Sequence, residues 1–253
     1  MNRPTFIYPI HLRTATATAT DTYSVNYSAT NVLEGCEDTG WRPANTTGSK
    51  SLTIALGGIL PIGAVAVLGQ YLNGVTLEVR GSSDGFVSSD IQLSAAAAIN
   101  TSEFITTWRG FAETYLSHIR LIFTGFAASF EIQHVACCLA VPLPYLEDGH
   151  DPDVFQPTGT HLVGVAGTYL GTTQQCTMRN INLDFGQITS AQYLPFQLWA
   201  EYCVMTMRPF FYVPDTDQAE CYFGWVDAKY KFSAPYKSGR RKVATIPFTG
   251  RFA

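Results

Sequence analysis

The chain has 253 residues, 46% of them hydrophobic and only 14% charged, with a formal net charge of −4. Its length suits one large β domain or two smaller units with separate cores, and its acidic balance argues against broad electrostatic binding to nucleic acid. The charged fraction lies well below the roughly 25% of ordinary soluble domains, which suits a surface covered by neighbours.

The first residues, MNRPTFIYPIHLRTATATAT, contain no apolar core or cleavage-like site of a secretory signal, so synthesis and folding in a cytoplasm are expected. Residues 1–21 read as an N-terminal arm. The TATATAT stretch at 14–20 suits a strand or an extended arm, and Phe6, Ile7, Tyr8 and Ile10 have no local apolar partners by pattern. Trp41 follows, inside the polar run EDTGWRPANTTGSK and just ahead of the alternating Leu52, Ile54 and Leu56.

Period-2 patterns mark strands at Val75–Val79, Ile119–Phe123, Ile181–Phe185 and at Phe130–Ala136, where Phe130, Ile132, His134 and Ala136 share one parity. Val65–Leu68 adds a short, wholly apolar strand. Asn73-Gly74, Gly81–Gly85 and Gly125 punctuate them as turns. Ala95–Ala98 reads as a loop or a short turn of helix. The longest apolar stretch, Leu52–Leu68, is broken by Gly57, Gly58, Pro61 and Gly63 and falls short of a membrane span.

Residues 143–158 form a proline-rich, acidic linker that separates a first domain, 22–142, from a second β-rich unit, 159–253. Within the second unit, Leu194, Leu198 and Tyr202 recur at i, i+4, i+8 behind Ser190 as a cap, predicting a helix over about 190–204 despite Pro195. The C-terminal stretch 240–253 carries Ile246, Phe248 and Phe252. Either it completes its own sheet or, like the N-terminal arm, it adds to a neighbouring subunit.

The order of elements in the first domain resembles the galactose-binding-like, discoidin-type jelly roll. The matching pieces are Thr39-Gly40-Trp41, Leu52–Gly57, Val75–Gly85 and Tyr115–Phe123. The resemblance implies a mainly β chain: a jelly-roll sandwich followed by the β-rich unit with its one helix. It also implies that Trp41 plugs one end of the sandwich core, the other reading being an exposed platform for sugar stacking. The family's usual aspartate in the Leu52–Gly57 strand is Ala55 here, so a cation role for that carboxylate is lost. The second half is similar to tail-tip or baseplate proteins of long-tailed bacteriophages, through the helix, Arg208–Asp215 and the strand pair with Tyr222–Trp225 and Phe248–Gly250. This second resemblance implies a structural virion protein that assembles with copies of itself and other tail proteins, with host-surface glycan as a further partner. The alternative is a carbohydrate-binding module.

No catalytic signature stands against these readings. His11, His118, His134, His150 and His161 lack evident acid or nucleophile partners, and no nucleophile elbow, zinc-protease motif or phosphate loop occurs. No cofactor is implied. Cys36, Cys137, Cys138, Cys176, Cys203 and Cys221 have neither zinc nor disulfide-framework spacing and are expected as thiols. Glu147, Asp148, His150, Asp151 and Asp153 could offer oxygen ligands to calcium, but they lack the regular spacing and read as a solvated acidic loop. Lys237 and Gly239–Lys242 read as a solvated hairpin tip or a salt-bridging arm. For a glycan, the candidate contacts are Trp108, Tyr71 and Asn73, with packing of the core or of a subunit contact as the other reading.

Overall fold

The computed structural model describes residues 3–9, 12, 14–34, 39–99, 104–140, 142–144, 146, 155–163, 169–237 and 240–251. In chain order the elements are β1 (Thr5–Ile7), β2 (Thr16–Ala19), two 3-10 turns (Val25–Tyr27 and Ala29–Leu33), β3 (Lys50–Gln70), β4 (Thr76–Ser82), β5 (Ile91–Ala98), β6 (Phe104–Thr124) and β7 (Glu131–Cys138). There follow β8 (Phe155–Val163), β9 (Tyr169–Leu183), β10 (Gln187–Ile188), α1 (Ser190–Trp199), β11 (Phe210–Val213), β12 (Tyr222–Val226), β13 (Tyr236–Lys237), β14 (Arg240–Lys242) and β15 (Ile246–Arg251). The chain is mainly β and divides into two units. Residues 1–143 and 208–223 form the first, with residue 253; residues 144–207 and 224–252 form the second.

The first unit is a jelly-roll sandwich built on two long bent strands. The amino half of β3 pairs with β2 and with the carboxyl half of β6, which continues to β4 and β5. The other half of β3 pairs with the opening half of β6 and with β7. The strand changes sheets at a bulge between Ala55 and Leu60, where Gly57 takes φ 77°, a conformation only glycine adopts at little cost. The sequence pattern suggested separate strands before and after this bulge. Leu52, Ile54, Leu56, Val65, Val67, Leu77, Val79, Leu121 and Phe123 fill the space between the sheets. Ala95–Ala98, expected as a loop or helical turn, instead ends β5. Edge pairing with β4 settles what composition left ambiguous.

β7 departs from its single-parity reading. Gly69 pairs with Ile132 and Leu68 with His134, so Gln133 is skipped by a bulge and the inward set becomes Ile132, Val135 and Cys137. His134, Ala136 and Cys138 then face outward, yet all three are buried. An apolar outer face needs a cover. Residues from both ends of the sequence supply it: β1 pairs antiparallel with β11, Phe6 meets Phe210 at 5.1 Å, and Cys138 Sγ donates to the Phe6 carbonyl at 3.7 Å. Within the expected N-terminal arm, residues 1–21, β1 is therefore buried here and β2 is a strand of the sandwich. Likewise Arg208–Phe223, which follows the expected linker by some distance, belongs with the first unit.

In the second unit β15 lies between β12 and β9, and β9 pairs with β8. The C-terminal strand thus completes a sheet of its own chain. Gly224 faces Gly250 across the β12–β15 pair, and a Cβ added there would lie 2.3 Å from the Thr249 carbonyl oxygen. Gly224→Ala is expected to destabilise by about 1–3 kcal/mol, measured by chemical denaturation, because the clash is with backbone that cannot rotate away.

The helix forms where periodicity placed it, as α1 continued by a π-helical turn over Ala200–Val204. Its cap is Thr189 rather than Ser190. Gln192 N donates to Thr189 Oγ1 at 3.3 Å and Thr189 N to Gln192 Oε1 at 2.9 Å, a reciprocal capping box. Arg241 of the basic run lies 4.0 Å over the Tyr193 ring, and β13 and β14 form the expected hairpin.

Candidate functional site

Loop 20–49 leaves β2 and returns to β3 at the end of the sandwich where β4 begins and β6 finishes. Trp41 anchors it. The residue is wholly buried, exchanges backbone hydrogen bonds with Ile132 at 2.8 and 2.9 Å, and packs edge-on against Phe130 at 5.8 Å. Its indole Nε1 donates to the Asp21 carbonyl at 2.9 Å. The Asp21 carboxylate accepts from Ala44 N and pairs with the Lys50 ammonium, which also donates to Asn45 Oδ1 at 2.8 Å. Lys50 is only 4% exposed, and these partners satisfy its charge. A polar loop is thus fixed from beneath by one aromatic plug and one nearly buried ion pair.

The outer side of this loop carries aromatics. Tyr23 N donates to the Arg42 carbonyl at 2.8 Å and Arg42 N to the Tyr27 carbonyl at 3.4 Å. The two rings meet edge to face at 5.8 Å, and the Arg42 guanidinium lies 5.0 Å from the Tyr23 centroid and 5.7 Å from that of Tyr27. Arg42 Nε donates to Ser129 Oγ at 3.0 Å, which leaves its two terminal amino groups for another acceptor. Tyr23 is 58% exposed. Burial raises the Glu131 carboxyl above its ordinary value, and the Arg42 charge offsets part of that rise.

Gln70 pairs with Glu131, so the β3–β4 turn reaches the same end. That turn holds Tyr71 and Asn73. Both are exposed, and Tyr71 takes φ 58°, which directs it out of the strand path. Trp108 is placed elsewhere. It lies within β6 opposite Ala66, four residues or roughly 13 Å along the ladder from the Gln70–Phe104 pair. Its Nε1 donates to the Gln218 carbonyl at 3.1 Å. The structure therefore joins Tyr71 and Asn73 to this end and separates Trp108 from it. Pattern reading missed Tyr23, Tyr27 and Arg42. An arginine directly after the loop tryptophan was the available signal, but its partners lie 15 and 19 residues upstream.

The acidic cluster at Glu147–Asp153, like His11 and Cys36, lies outside the described residues, as do the side chains of His161 and Cys176. Among the described residues no group of three or more His, Cys, Asp or Glu side chains could hold a metal ion, and no helix is long and apolar enough to cross a membrane. Cys137, Cys138 and Cys221 are buried free thiols; burial pushes the Cys138 thiol up to about 12.

No protein-family model and no curated protein sequence matches the chain. Solved structures similar to it include chitosan-binding module 1 of a chitosanase/glucanase from Paenibacillus sp. IK-5, at 14% identity and a TM-score of 0.46 over 52% of this chain and 98% of the module. CpGH89CBM32-5 from Clostridium perfringens, in complex with GalNAc-β-1,3-galactose, is similar at 21% identity and a TM-score of 0.45, over 52% of this chain and 98% of its own. The family 32 CBM of C. perfringens NanJ, in complex with galactose, gives 16% identity and a TM-score of 0.44 over 53% and 98% of the two chains.

Proposed function

We propose that the first unit is a carbohydrate-binding module that takes a glycan at the Tyr23–Tyr27–Arg42 end of its sandwich. The observation that carries this reading is the exposed Tyr23 ring, held in place by its backbone bond to Arg42. Sugars bind proteins through their apolar C–H faces on aromatic rings and through hydroxyls paired with a few fixed polar groups. Here Tyr23 offers the ring, the Arg42 amino groups donate, and Glu131 accepts, while Tyr71 and Asn73 extend the surface. Assembly within a phage tail is the weaker reading. It rests on the pattern resemblance of the second half, and the terminal strands offered as contacts with a neighbour, β1, β2 and β15, are paired within the chain.

The test is a glycan array followed by calorimetry on the best ligand. Tyr23→Ala and Arg42→Gln are each expected to weaken binding at least about tenfold, as loss of a stacking face or a charged hydrogen bond does. The thermal midpoint should stay within a few degrees of wild type, because Tyr23 is exposed. Trp108→Phe should leave affinity unchanged. Retained affinity in Tyr23→Ala would exclude this end as the site.

A further inference from the structure

The basic residues of this acidic chain are concentrated in its last part. Residues 224–252 hold Lys229, Lys231, Lys237, Arg240, Arg241, Lys242 and Arg251 against the single acid Asp227, while the whole chain has a net charge of −4. Arg240–Lys242 are the strand β14, the middle of the three-stranded sheet β10–β14–β13. Alternation along a strand sends Arg241 to one face and Arg240 and Lys242 to the other.

The two faces differ. Arg241 pairs in register with Tyr236 and with Ile188, which is fully buried. Its guanidinium lies 4.0 Å from the Tyr193 centroid of α1 and 5.4 Å from that of Tyr236, and Nη1 donates to the Ala234 carbonyl at 3.3 Å. This cation therefore holds the hairpin to the helix. On the opposite face Lys242 stands across from Gln187, and Arg240 takes the register position opposite Lys237. Gln187, Arg240 and Lys242 are exposed. Neither Arg240 nor Lys242 forms an ion pair with a carboxylate among the described residues. Asp184, just ahead of β10, already accepts from Gly186 N at 3.1 Å and from Thr245 Oγ1 at 3.4 Å. Two residues apart on one strand, Arg240 and Lys242 are set roughly 7 Å from each other along the chain. A sheet pinned to a helix keeps that spacing, which a free hairpin tip does not.

Fixed, unpaired cations on one face attract a polymer with repeated anions. Proteins that hold single-stranded nucleic acid add aromatic rings on which bases stack. No aromatic residue pairs into this face among the described residues, because Tyr236 lies on the face of Arg241. Gln187 contributes an amide instead, which suits hydroxyl groups.

We infer that the outer face of the β10–β14–β13 sheet is a docking surface for an acidic polysaccharide, whose repeated anionic groups meet Arg240 and Lys242 while Gln187 pairs with its hydroxyls. The surface is independent of the glycan reading for the Tyr23–Arg42 end, since it belongs to the second unit.

Fluorescence anisotropy with the full chain tests this, using labelled dextran sulfate and polygalacturonate, with neutral dextran and oligothymidylate alongside. At low ionic strength at least one acidic polysaccharide should bind, and dextran should not. The double variant Arg240→Gln, Lys242→Gln should weaken that binding at least about tenfold and flatten its salt dependence, because fewer counterions are released. A thermal scan checks folding. The two single variants, each expected to lose about threefold, keep the test decisive if the double variant is not folded. Arg120→Gln, which removes a cation of the first unit, should leave affinity unchanged. The inference fails if neither acidic polysaccharide binds, or if the folded glutamine variants bind as tightly as wild type. It also fails if Arg120→Gln weakens binding as much as they do, or if oligothymidylate binds more tightly than both polysaccharides.

Discussion

Trp41→Ala is expected to destabilise the protein by about 3–5 kcal/mol in urea or guanidinium denaturation, the usual cost of deleting a large, fully buried aromatic. Three losses act together. The indole leaves a void against Phe123 and Phe130, whose rings stand 6.1 and 5.8 Å from it. The Asp21 carbonyl loses the Nε1 donor. Asp21 is then held less firmly where it pairs with the nearly buried Lys50. Trp41→Phe separates these effects. It retains much of the apolar contact, loses the hydrogen bond, and should cost about 1–2 kcal/mol from that bond, together with a packing cost for the smaller ring. Because loop 20–49 carries Tyr23, Tyr27 and Arg42 on its outer side, both variants should also weaken the proposed glycan binding at temperatures well below their unfolding transitions. A change below about 1 kcal/mol for Trp41→Ala would mean that the plug can be replaced by solvent, against its complete burial.

Legibility in the sequence followed the range of the interactions. Alternation at Leu52–Leu56 and Ile119–Phe123 reports which side of a strand meets the core, a local property, and both segments are strands of the sandwich with those residues inward. The helix at 190–204 was legible as a helix, but its cap lies one residue earlier than Ser190 and its buried face is Phe196, Trp199, Ala200 and Cys203 rather than the Leu194, Leu198, Tyr202 stripe. What failed depended on distant partners. Gln133 is skipped because β7 must follow the bend of β3, and nothing within β7 announces a bulge. Thr5–Ile7 looked unpartnered because its partner, Phe211–Val213, lies some 200 residues away. The aromatic end of the sandwich was hidden likewise. Tyr23 and Arg42 meet only because Trp41 pins the loop to Ile132 from inside, so the surface cluster follows from a buried contact. Tyr71 and Asn73 were open to selection as exposed turn residues, whereas Trp108 satisfies its indole donor within its own unit.

Replacing His134 should change how stability depends on pH between about 4 and 7. The imidazole is 1% exposed, stacks on Phe211 at 5.9 Å and lies 5.4 Å from Phe223. Burial, reinforced by the Arg208 charge, lowers its ionisation to about 4, and the backbone of Val32 offsets only part of that shift, with no full hydrogen bond to either ring nitrogen. The sign follows from which state binds the proton. In the unfolded chain the imidazole titrates near 6.5, and in the folded protein near 4. Between these values the unfolded state binds more protons, so stability falls as pH drops from about 6.5 and levels off below about 4. The difference corresponds to about 3 kcal/mol. Glu131 acts with the opposite sign, because burial raises its folded-state value and protonation there favours the folded form. Since Glu131 is common to both proteins, it cancels in a difference. His134→Phe keeps an aromatic ring against Phe211 and removes the titration. The stability of His134→Phe minus that of wild type, measured by denaturation at closely spaced pH values, should therefore rise by about 3 kcal/mol from pH 7 to pH 4. Parallel curves for the two proteins would show that the buried imidazole takes up its proton without cost, through a partner that the packing of β7 against β11 does not provide.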